Sequence, residues 1–219
     1  RISEAAGEPS AGVSLPTRIL GRTGRSVTIL GLGCAYIAHD ADEARSRATV
    51  EAALEGGIRY FDTSPDYLRS VERLGPILSP VRDSLFLVSK INGVDAQSAE
   101  KEFLETLARL RTDHVDLLLQ HGVGLGDTVT KTAVMMGPGG SLEFLQAAKK
   151  KGLARCIGMS IHPGVPTGLS MLEASGAWDV VMPFINYVSR AQWNEEERIV
   201  ARACARNLGV IGMKVLGGQ

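Results

Sequence analysis

The stretch Gly31-Leu-Gly-Cys-Ala-Tyr36 decides between two folds. Short apolar runs alternate with helical patterns along the chain, and such alternation allows either an open doubly wound sheet or a closed (β/α)8 barrel. An open sheet that binds a dinucleotide carries the pattern G-x-G-x-x-G directly after its first strand. Here Tyr36 stands where the third glycine would be, and the chain has no Gly-Lys-Ser/Thr phosphate loop. The stretch therefore favours the barrel, an α/β fold.

Seven apolar runs surround this stretch and predict the strands of the barrel. They are short and do not alternate with polar residues, which is typical of strands buried on both faces of a parallel sheet. Before them, two β-prone runs flank Gly21-Arg-Thr-Gly24 and predict an N-terminal β-hairpin. The predicted strands span residues 29–32, 58–61, 85–88, 115–119, 154–158, 180–184 and 210–213.

Helical patterns fill the gaps between these strands. After Ser98, a suitable N-cap, the apolar residues Phe103, Leu107 and Leu110 recur at helical spacing. Pro76 interrupts the pattern of another helix. The predicted helices span residues 42–55, 69–78, 98–110, 141–150, 167–175 and 194–207.

The composition is that of an ordinary globular chain with balanced charge. Of 219 residues, 44% are apolar and 22% are charged, and 24 basic residues balance 24 acidic ones. A net charge of zero argues against a protein that binds the phosphate backbone of nucleic acids. The longest apolar stretch, residues 26–38, is too short and too polar to span a membrane. We therefore expect a soluble protein without a nucleic-acid partner, of unknown oligomeric state.

The ends of the chain and its cysteines bear on the domain and the compartment. Residues 1–14 are small and polar and predict a flexible tail, and residues 15–219 predict a single β/α domain. Cys34, Cys156 and Cys204 are scattered and fit buried free thiols better than a disulfide framework or a metal site. Free thiols favour the cytoplasm. The chain starts with Arg, not Met, so the alternative is a protein exported to the periplasm after loss of an N-terminal signal.

Four polar residues follow three consecutive predicted strands. Asp62 and Tyr67 come after the second strand, Lys90 ends the third, and His121 ends the fourth. In a β/α barrel the chemistry lies at the carboxyl ends of the strands, and consecutive strands are neighbours. Each residue alone has a structural explanation, but their arrival at one face in adjacent units favours a shared catalytic site.

The chemistry of this cluster favours proton donation to a carbonyl oxygen. A free tyrosine has a pKa of about 10, and a nearby lysine favours the phenolate and lowers that pKa. A carboxylate beside the lysine keeps it protonated, and a histidine can donate a hydrogen bond that positions the substrate oxygen. A carbonyl carbon that is reduced also needs a hydride, for which a nicotinamide cofactor is the natural source.

The motifs around these residues resemble those of the aldo-keto reductases. They are Asp62-Thr-Ser-Pro-Asp-Tyr67, Leu85-Phe-Leu-Val-Ser-Lys90 and the run from Arg111 to His121, and the resemblance extends from about residue 15 to the last residue. It implies a (β/α)8 barrel with NADPH extended across the carboxyl-end face. It also implies Asp62, Tyr67, Lys90 and His121 as the catalytic residues, with Tyr67 as proton donor.

The resemblance also implies a set of cofactor-binding positions. Isoleucine 161 and methionines 182 and 213 stand where the family commonly has an asparagine, a glutamine and a stacking aromatic, which suggests altered nicotinamide binding. The ending Gly-Met-Lys-Val-Leu-Gly-Gly resembles a bacterial branch of the family. The implied cofactor-binding residues are Gly33, Cys34, Asp62, Ser160, Ile161, Met182, Met213, Lys214 and Leu216.

The expected function is the NADPH-dependent reduction of an aldehyde or ketone, or the reverse oxidation of an alcohol or sugar. One alternative is a regulatory or accessory protein that binds the cofactor with little turnover. Another is a barrel lyase or isomerase that uses Lys90 as a Schiff base. A complete barrel needs about 250 residues, and the sequence ends directly after the seventh predicted strand. We therefore expect the eighth strand, its helices and the segment that distinguishes NADP from NAD to be missing from this chain.

Overall fold

The structure is a computed structural model, and it describes most of the chain. The predicted tail over residues 1–14 lies outside the described residues apart from Ser14. The described residues are 14–38, 42–126, 128–162, 164–194 and 196–217.

Seven parallel strands form one sheet, and each pairs with the next along the chain. A separate antiparallel hairpin precedes them, with β1 (Thr17–Ile19) paired to β2 (Ser26–Thr28). The parallel order confirms the predicted β/α architecture. The strands of the sheet are β3 (Gly31–Gly33), β4 (Tyr60–Asp62), β5 (Phe86–Ile91), β6 (Val115–Val123), β7 (Ala154–Ile161), β8 (Val180–Pro183) and β9 (Gly209–Val210).

Eight α-helices lie among the described residues, and five of the six predicted helices each correspond to one α-helix. The helix predicted to start after Ser98 instead begins at Ala96, with Asp95 as its N-cap. The region predicted as one helix over residues 194–207 consists of a π-helical turn, Glu196–Val200, followed by a short α-helix. The helices are α1 (Glu43–Glu55), α2 (Ser70–Leu78), α3 (Ala96–Leu110), α4 (Thr128–Met136), α5 (Ser141–Lys150), α6 (Val165–Ala174), α7 (Tyr187–Trp193) and α8 (Ala201–Ala205).

The helices α4 and α7 were absent from the prediction. Five of the nine residues in α4 are threonine or valine, and β-branched residues are poor helix formers. The start of α7 carries a readable signal that the sequence reasoning overlooked. The side chain of Asn186 accepts hydrogen bonds from the backbone N–H groups of Val188 and Ser189, and the Ser189 hydroxyl accepts one from the Asn186 N–H. This arrangement is a capping box, and it starts the helix.

The curled sheet divides the core into two layers. Side chains alternate along each strand, so that one set fills the interior of the barrel and the other packs against the helices. The outer layer includes Phe61, Leu118 and Ile157. The interior set, which fixes where the functional side chains point, consists of Leu20, Tyr60, Phe86, Val88, Leu117, Leu119, Cys156, Val180 and Met182.

The hairpin covers the amino-end opening of the barrel. Leu20 packs among the interior side chains, and two arginines of this segment form ion pairs with carboxylates of the strands. Arg22 contacts Asp179 at 3.9 Å, and Arg25 contacts Asp116 at 3.6 Å. Because one end of the interior is covered in this way, a ligand can approach the interior side chains from the opposite, carboxyl end.

The edges of the sheet are the first and last parallel strands. Among the described residues, β3 and β9 each pair with a neighbour on one side only. An eighth barrel strand is not among these residues. Within the same described part of the chain, every helix is too short or too polar to cross a membrane.

Asp116 offers a test of how the amino end is stabilised. Its side chain is 1% exposed, and its carboxylate accepts a hydrogen bond from the Leu87 N–H and forms ion pairs with Arg82 at 2.8 Å and Arg155 at 3.1 Å. Asp116→Ala leaves the buried Arg82 without its carboxylate, so we expect a loss of about 3–5 kcal/mol of unfolding free energy. Urea unfolding monitored by circular dichroism measures it.

The matched control is Asp113→Ala. Asp113 is 94% exposed, and we expect its removal to change the unfolding free energy by less than about 0.5 kcal/mol. Equal losses in the two variants would contradict the stabilising role of Asp116.

Candidate active site

Strand geometry brings the four predicted catalytic residues together. Asp62 lies two residues after the interior Tyr60, Lys90 two after Val88, and His121 two after Leu119. Side chains at a separation of two share a face of a strand. The three side chains therefore point into the barrel at its carboxyl end, and Tyr67 reaches them from the loop before α2.

Lys90 is the buried centre of the group. Its Nζ donates hydrogen bonds to Asp62 Oδ1 at 2.5 Å and to the Thr63 carbonyl at 2.9 Å. The same atom lies 4.8 Å from the centre of the Tyr67 ring. Burial is the largest single effect and disfavours the ammonium, but Asp62 and Tyr67 together outweigh burial, and the pKa of Lys90 is raised above its ordinary value. The structure therefore holds a positive charge beneath the tyrosine.

Tyr67 differs from the expectation in one respect. Burial raises the pKa of its hydroxyl, and the opposing effect of Lys90 does not fully compensate. The sequence predicts a lowered pKa because the lysine charge can be read from it, whereas the desolvation of the tyrosine cannot. The hydroxyl lies 3.5 Å from His121 Nε2. A raised pKa keeps the phenol protonated at neutral pH, which suits a proton donor.

The Nδ1 atom of His121 faces three oxygen atoms. Ser64 Oγ lies at 3.2 Å, Asp66 Oδ1 at 3.3 Å and Asn92 Oδ1 at 3.0 Å. The Asp66 carboxylate can only accept hydrogen bonds, so Nδ1 carries a hydrogen. In the neutral ring Nε2 is then an acceptor for the Tyr67 hydroxyl, whereas in the imidazolium both nitrogens donate.

Glu102 of α3 fixes the orientation of the Asn92 amide. Its Oε1 accepts a hydrogen bond from Asn92 Nδ2 at 2.9 Å, which turns the amide oxygen toward His121. Its Oε2 accepts from the backbone N–H of Asn92 at 2.6 Å. The sequence reasoning missed Glu102, Asn92 and Asp66. Asn92 could have been found from its position two residues after Lys90, and Asp66 from its place in the motif that ends at Tyr67.

Asp66 is ionised beside His121. Hydrogen bonds from His121 and from the Ser64 hydroxyl outweigh the partial burial of Asp66 and hold the pKa of its carboxyl well below the usual range. The ionised carboxylate can therefore accept the hydrogen on Nδ1 of His121.

A β-bulge aims His121. Gln120 pairs with Met159 and Val123 with Ile161, so two residues of β6, His121 and Gly122, lie opposite the single Ser160 of β7. The Ser160 hydroxyl accepts a hydrogen bond from the Gly122 N–H at 3.1 Å. Bulges next to active sites redirect side chains. Ser160, predicted to hold the nicotinamide carboxamide, is fully buried and here secures the bulge.

Three of the remaining residues predicted to bind the cofactor lie at the carboxyl-end opening, one lies in the barrel interior and one is exposed. Gly33 lies at the carboxyl-end opening with open space above its Cα, and Met213 and Lys214 lie at the same opening. Lys214 Nζ is 5.0 Å from the centre of the Phe184 ring. Met182 belongs to the barrel interior, and Leu216 is 98% exposed.

The side chain of Ile161 does not lie at the carboxyl-end opening. Its side chain is buried in the outer layer, where it fills the space above Gly168 of α6. The alternation of β7 turns it toward the helices. The next residue, His162, lies at the pocket instead, and the sequence reasoning assigned it no role.

The opening can hold the nicotinamide end of a cofactor. Asp62 Oδ2 is buried, and no described group bonds to it, which leaves an acceptor for a hydroxyl donor such as a ribose. Gly33 leaves its space free because it has no Cβ. Asp62 and Gly33 therefore fit the nicotinamide cofactor that the family resemblance implies.

The model of the Aldo/keto reductase family matches residues 29–219 of this chain. The chain belongs to this family. The L-galactose dehydrogenase of Arabidopsis thaliana is 29% identical to this aldo-keto reductase over 187 residues, which cover 78% of this chain and 56% of the relative. The methylglyoxal reductase DkgB of Salmonella typhimurium is 30% identical over 178 residues, which cover 77% and 61%. The chain therefore spans little more than half the length of these relatives.

Solved structures share the fold. A Pseudomonas aeruginosa protein described as a candidate aldo-keto reductase superposes with a TM-score of 0.77 and 30% identity, over 92% of this chain and 79% of that one. A Bombyx mori aldo-keto reductase solved in complex with NADP superposes with a TM-score of 0.72 and 21% identity, over 92% and 66%. The parallel sheet of this aldo-keto reductase is thus the sheet of the family barrel.

Cysteine reactivity tests the packing beside the site. Cys34 is fully buried, and burial and the nearby Asp62 raise the pKa of its thiol. Burial also raises the pKa of Cys156 to about 11, whereas Cys204 is exposed, contrary to the expectation of buried thiols. Because thiolates are the reactive form, we expect one thiol to react rapidly with DTNB in the native protein and three after denaturation.

The matched variant is Cys204→Ser, in which we expect no rapid reaction. A rapid native reaction that persists in this variant would contradict the packed position of Cys34 and Cys156.

Proposed function

We propose that the protein reduces an aldehyde or ketone to an alcohol, with NADPH as hydride donor and Tyr67 as proton donor. The observation that carries this proposal is the buried Lys90–Asp62 ion pair beneath the Tyr67 ring. Membership of the aldo-keto reductases supports it. The family resemblance also favours NADPH over NADH, and a titration with both cofactors tests that preference. The substrate is a small carbonyl compound or sugar.

Tyr67 donates the proton of the reaction, and Lys90 stabilises the phenolate that remains. Bound nicotinamide supplies a hydride to the carbonyl carbon and is oxidised. The Tyr67 hydroxyl gives its proton to the carbonyl oxygen as negative charge develops there. The Lys90 ammonium, held by Asp62, stabilises the phenolate that Tyr67 becomes. The phenolate then recovers a proton from solvent.

His121 orients the carbonyl. Its Nδ1 hydrogen is committed to the oxygens of Asp66, Asn92 and Ser64. When both ring nitrogens carry a hydrogen, Nε2 donates to the carbonyl oxygen and positions it. Asp66 and Asn92 act through His121 and are positioning residues.

The runner-up is a protein that binds the cofactor with little turnover. It is favoured by the outward position of Ile161, which offers no polar group to the nicotinamide carboxamide. Oxidation of NADPH with a panel of aldehydes separates the two, because binding without oxidation supports the runner-up. A cytoplasmic location, export to the periplasm and the absence of a nucleic-acid partner stay predictions of the sequence.

Tyr67→Phe tests the proton donor. The variant keeps the ring above Lys90 and removes only the hydroxyl, so we expect kcat for aldehyde reduction to fall by at least about 100-fold. The Kd for NADPH, measured by fluorescence titration, should stay within about twofold. Full turnover in this variant would contradict the mechanism.

Asp66→Asn tests the orientation of His121. The amide keeps the size of the side chain but removes the negative charge beside His121 Nδ1. Because Asp66 is half-exposed, solvent screens it, and we expect kcat/KM to fall by about fivefold, a modest effect. The control is Asp83→Asn at an exposed position in the turn before β5, where no change is expected. An unchanged kcat/KM in Asp66→Asn would exclude a role for this charge.

A further inference from the structure

A carboxylate outside the pocket is linked to His121 through a single side chain. Asn92 and His121 line the carboxyl-end pocket, whereas Glu102 belongs to helix α3 and is not part of that lining. Glu102 Oε1 accepts a hydrogen bond from Asn92 Nδ2 at 2.9 Å, and Asn92 Oδ1 lies 3.0 Å from His121 Nδ1. The proposed mechanism uses His121 and Asn92 and leaves Glu102 without a task.

The backbone around Asn92 is held from two sides. Glu102 Oε2 accepts hydrogen bonds from the N–H groups of Asn92 at 2.6 Å and Gly93 at 3.2 Å. The fully buried Gln120 of β6 donates from its Nε2 to the carbonyls of Ile91 at 3.3 Å and Gly93 at 3.4 Å. With the backbone fixed in this way, the orientation of the Asn92 amide decides whether its oxygen or its NH2 group faces His121.

Glu102 decides this orientation. A carboxylate only accepts hydrogen bonds, so the Asn92 amide presents its NH2 group to Glu102 and its oxygen to His121. An oxygen that faces Nδ1 favours a hydrogen on that nitrogen. The Asn92 oxygen is also the nearest of the three oxygens around Nδ1, because Ser64 Oγ lies at 3.2 Å and Asp66 Oδ1 at 3.3 Å.

We propose that Glu102 is a positioning residue of the carbonyl reduction, which acts through the Asn92 amide to keep a hydrogen on His121 Nδ1. A second hydrogen on the ring is then carried by Nε2, the nitrogen that orients the substrate carbonyl. This inference rests on the proposed function, and it extends the site to helix α3.

Glu102→Gln separates this role from a purely structural one. The glutamine keeps the size of the side chain and one acceptor oxygen, which can serve either the two backbone N–H groups or the single Asn92 Nδ2. Two bonds outweigh one, so the oxygen stays with the backbone and the loop stays fixed. The new NH2 group then faces Asn92, whose amide turns round and presents its own NH2 group to His121 Nδ1. A donor at this place opposes a hydrogen on Nδ1.

The double variant Glu102→Gln with Asn92→Asp restores the acceptor. The carboxylate then lies at position 92, where it accepts from the amide at position 102 and from His121 Nδ1. The net charge and the size of the pair equal those of the wild type. Asn92→Asp alone sets two carboxylates against each other, so we expect a loss of activity in that variant as well.

The first measurement is kcat/KM with NADPH for the aldehyde that the wild type reduces fastest. We expect Glu102→Gln and Asn92→Asp each to lower it by about three- to tenfold, the effect of one lost hydrogen bond. The double variant should return to within about twofold of the wild type. The matched control is Glu105→Gln at an exposed position of the same helix, where no change is expected.

The second measurement locates the hydrogen without turnover. Nitrogen-15 NMR of the histidine rings in the full chain distinguishes an N–H nitrogen from a bare one, and His121→Gln assigns the signals. We expect a hydrogen on Nδ1 of His121 in the wild type and in the double variant, and its loss in Glu102→Gln. A His121 spectrum that is unchanged in Glu102→Gln overturns the inference. So does a double variant as slow as Glu102→Gln. If the wild type reduces no aldehyde, the proposed function fails, and the spectrum alone decides whether Glu102 controls His121.

Discussion

The buried ion pair between Lys90 and Asp62 is the interaction on which the site depends. An ammonium that is 1% exposed is stable only with a carboxylate and further acceptors around it. The pair exists because β4 and β5 are parallel neighbours, with Asp62 opposite Val88. Lys90 lies two residues after Val88 on the same face of β5, from which its Nζ donates to the Asp62 carboxylate. Strand register, and not loop conformation, therefore sets the charge beneath Tyr67.

Buried carboxylates at the amino end of the barrel also form ion pairs, and there they stabilise the fold. Asp116 and Asp179 each accept a backbone N–H of a neighbouring strand and pair with arginines or a lysine. These carboxylates have several partners, whereas Asp62 keeps one oxygen without a partner among the described residues. The fully paired carboxylates thus lie at the end that stabilises the fold, and the carboxylate with a vacant acceptor lies at the end where β/α barrels bind their ligands.

Much of this arrangement could be predicted from the sequence. The apolar runs and the polar residues that follow them are enough to place Asp62, Lys90 and His121 at one face of the barrel. The pKa of Tyr67 could not be predicted, because it depends on how much of the ring is buried. The hydrogen on His121 Nδ1 could not be predicted either, since it depends on the Asp66 carboxylate and the Asn92 amide oxygen that the fold places beside this nitrogen.

The structure also explains why Ile161 can stand where the family commonly has an asparagine. In the sequence it suggested weakened nicotinamide binding. In the structure the alternation of β7 buries Ile161 against Gly168, where an apolar side chain completes the outer core. The same alternation turns Ser160 and His162 toward the barrel opening. The polar side chains of this strand end therefore lie on either side of residue 161: Ser160 secures the bulge that aims His121, and His162 lines the pocket beside it.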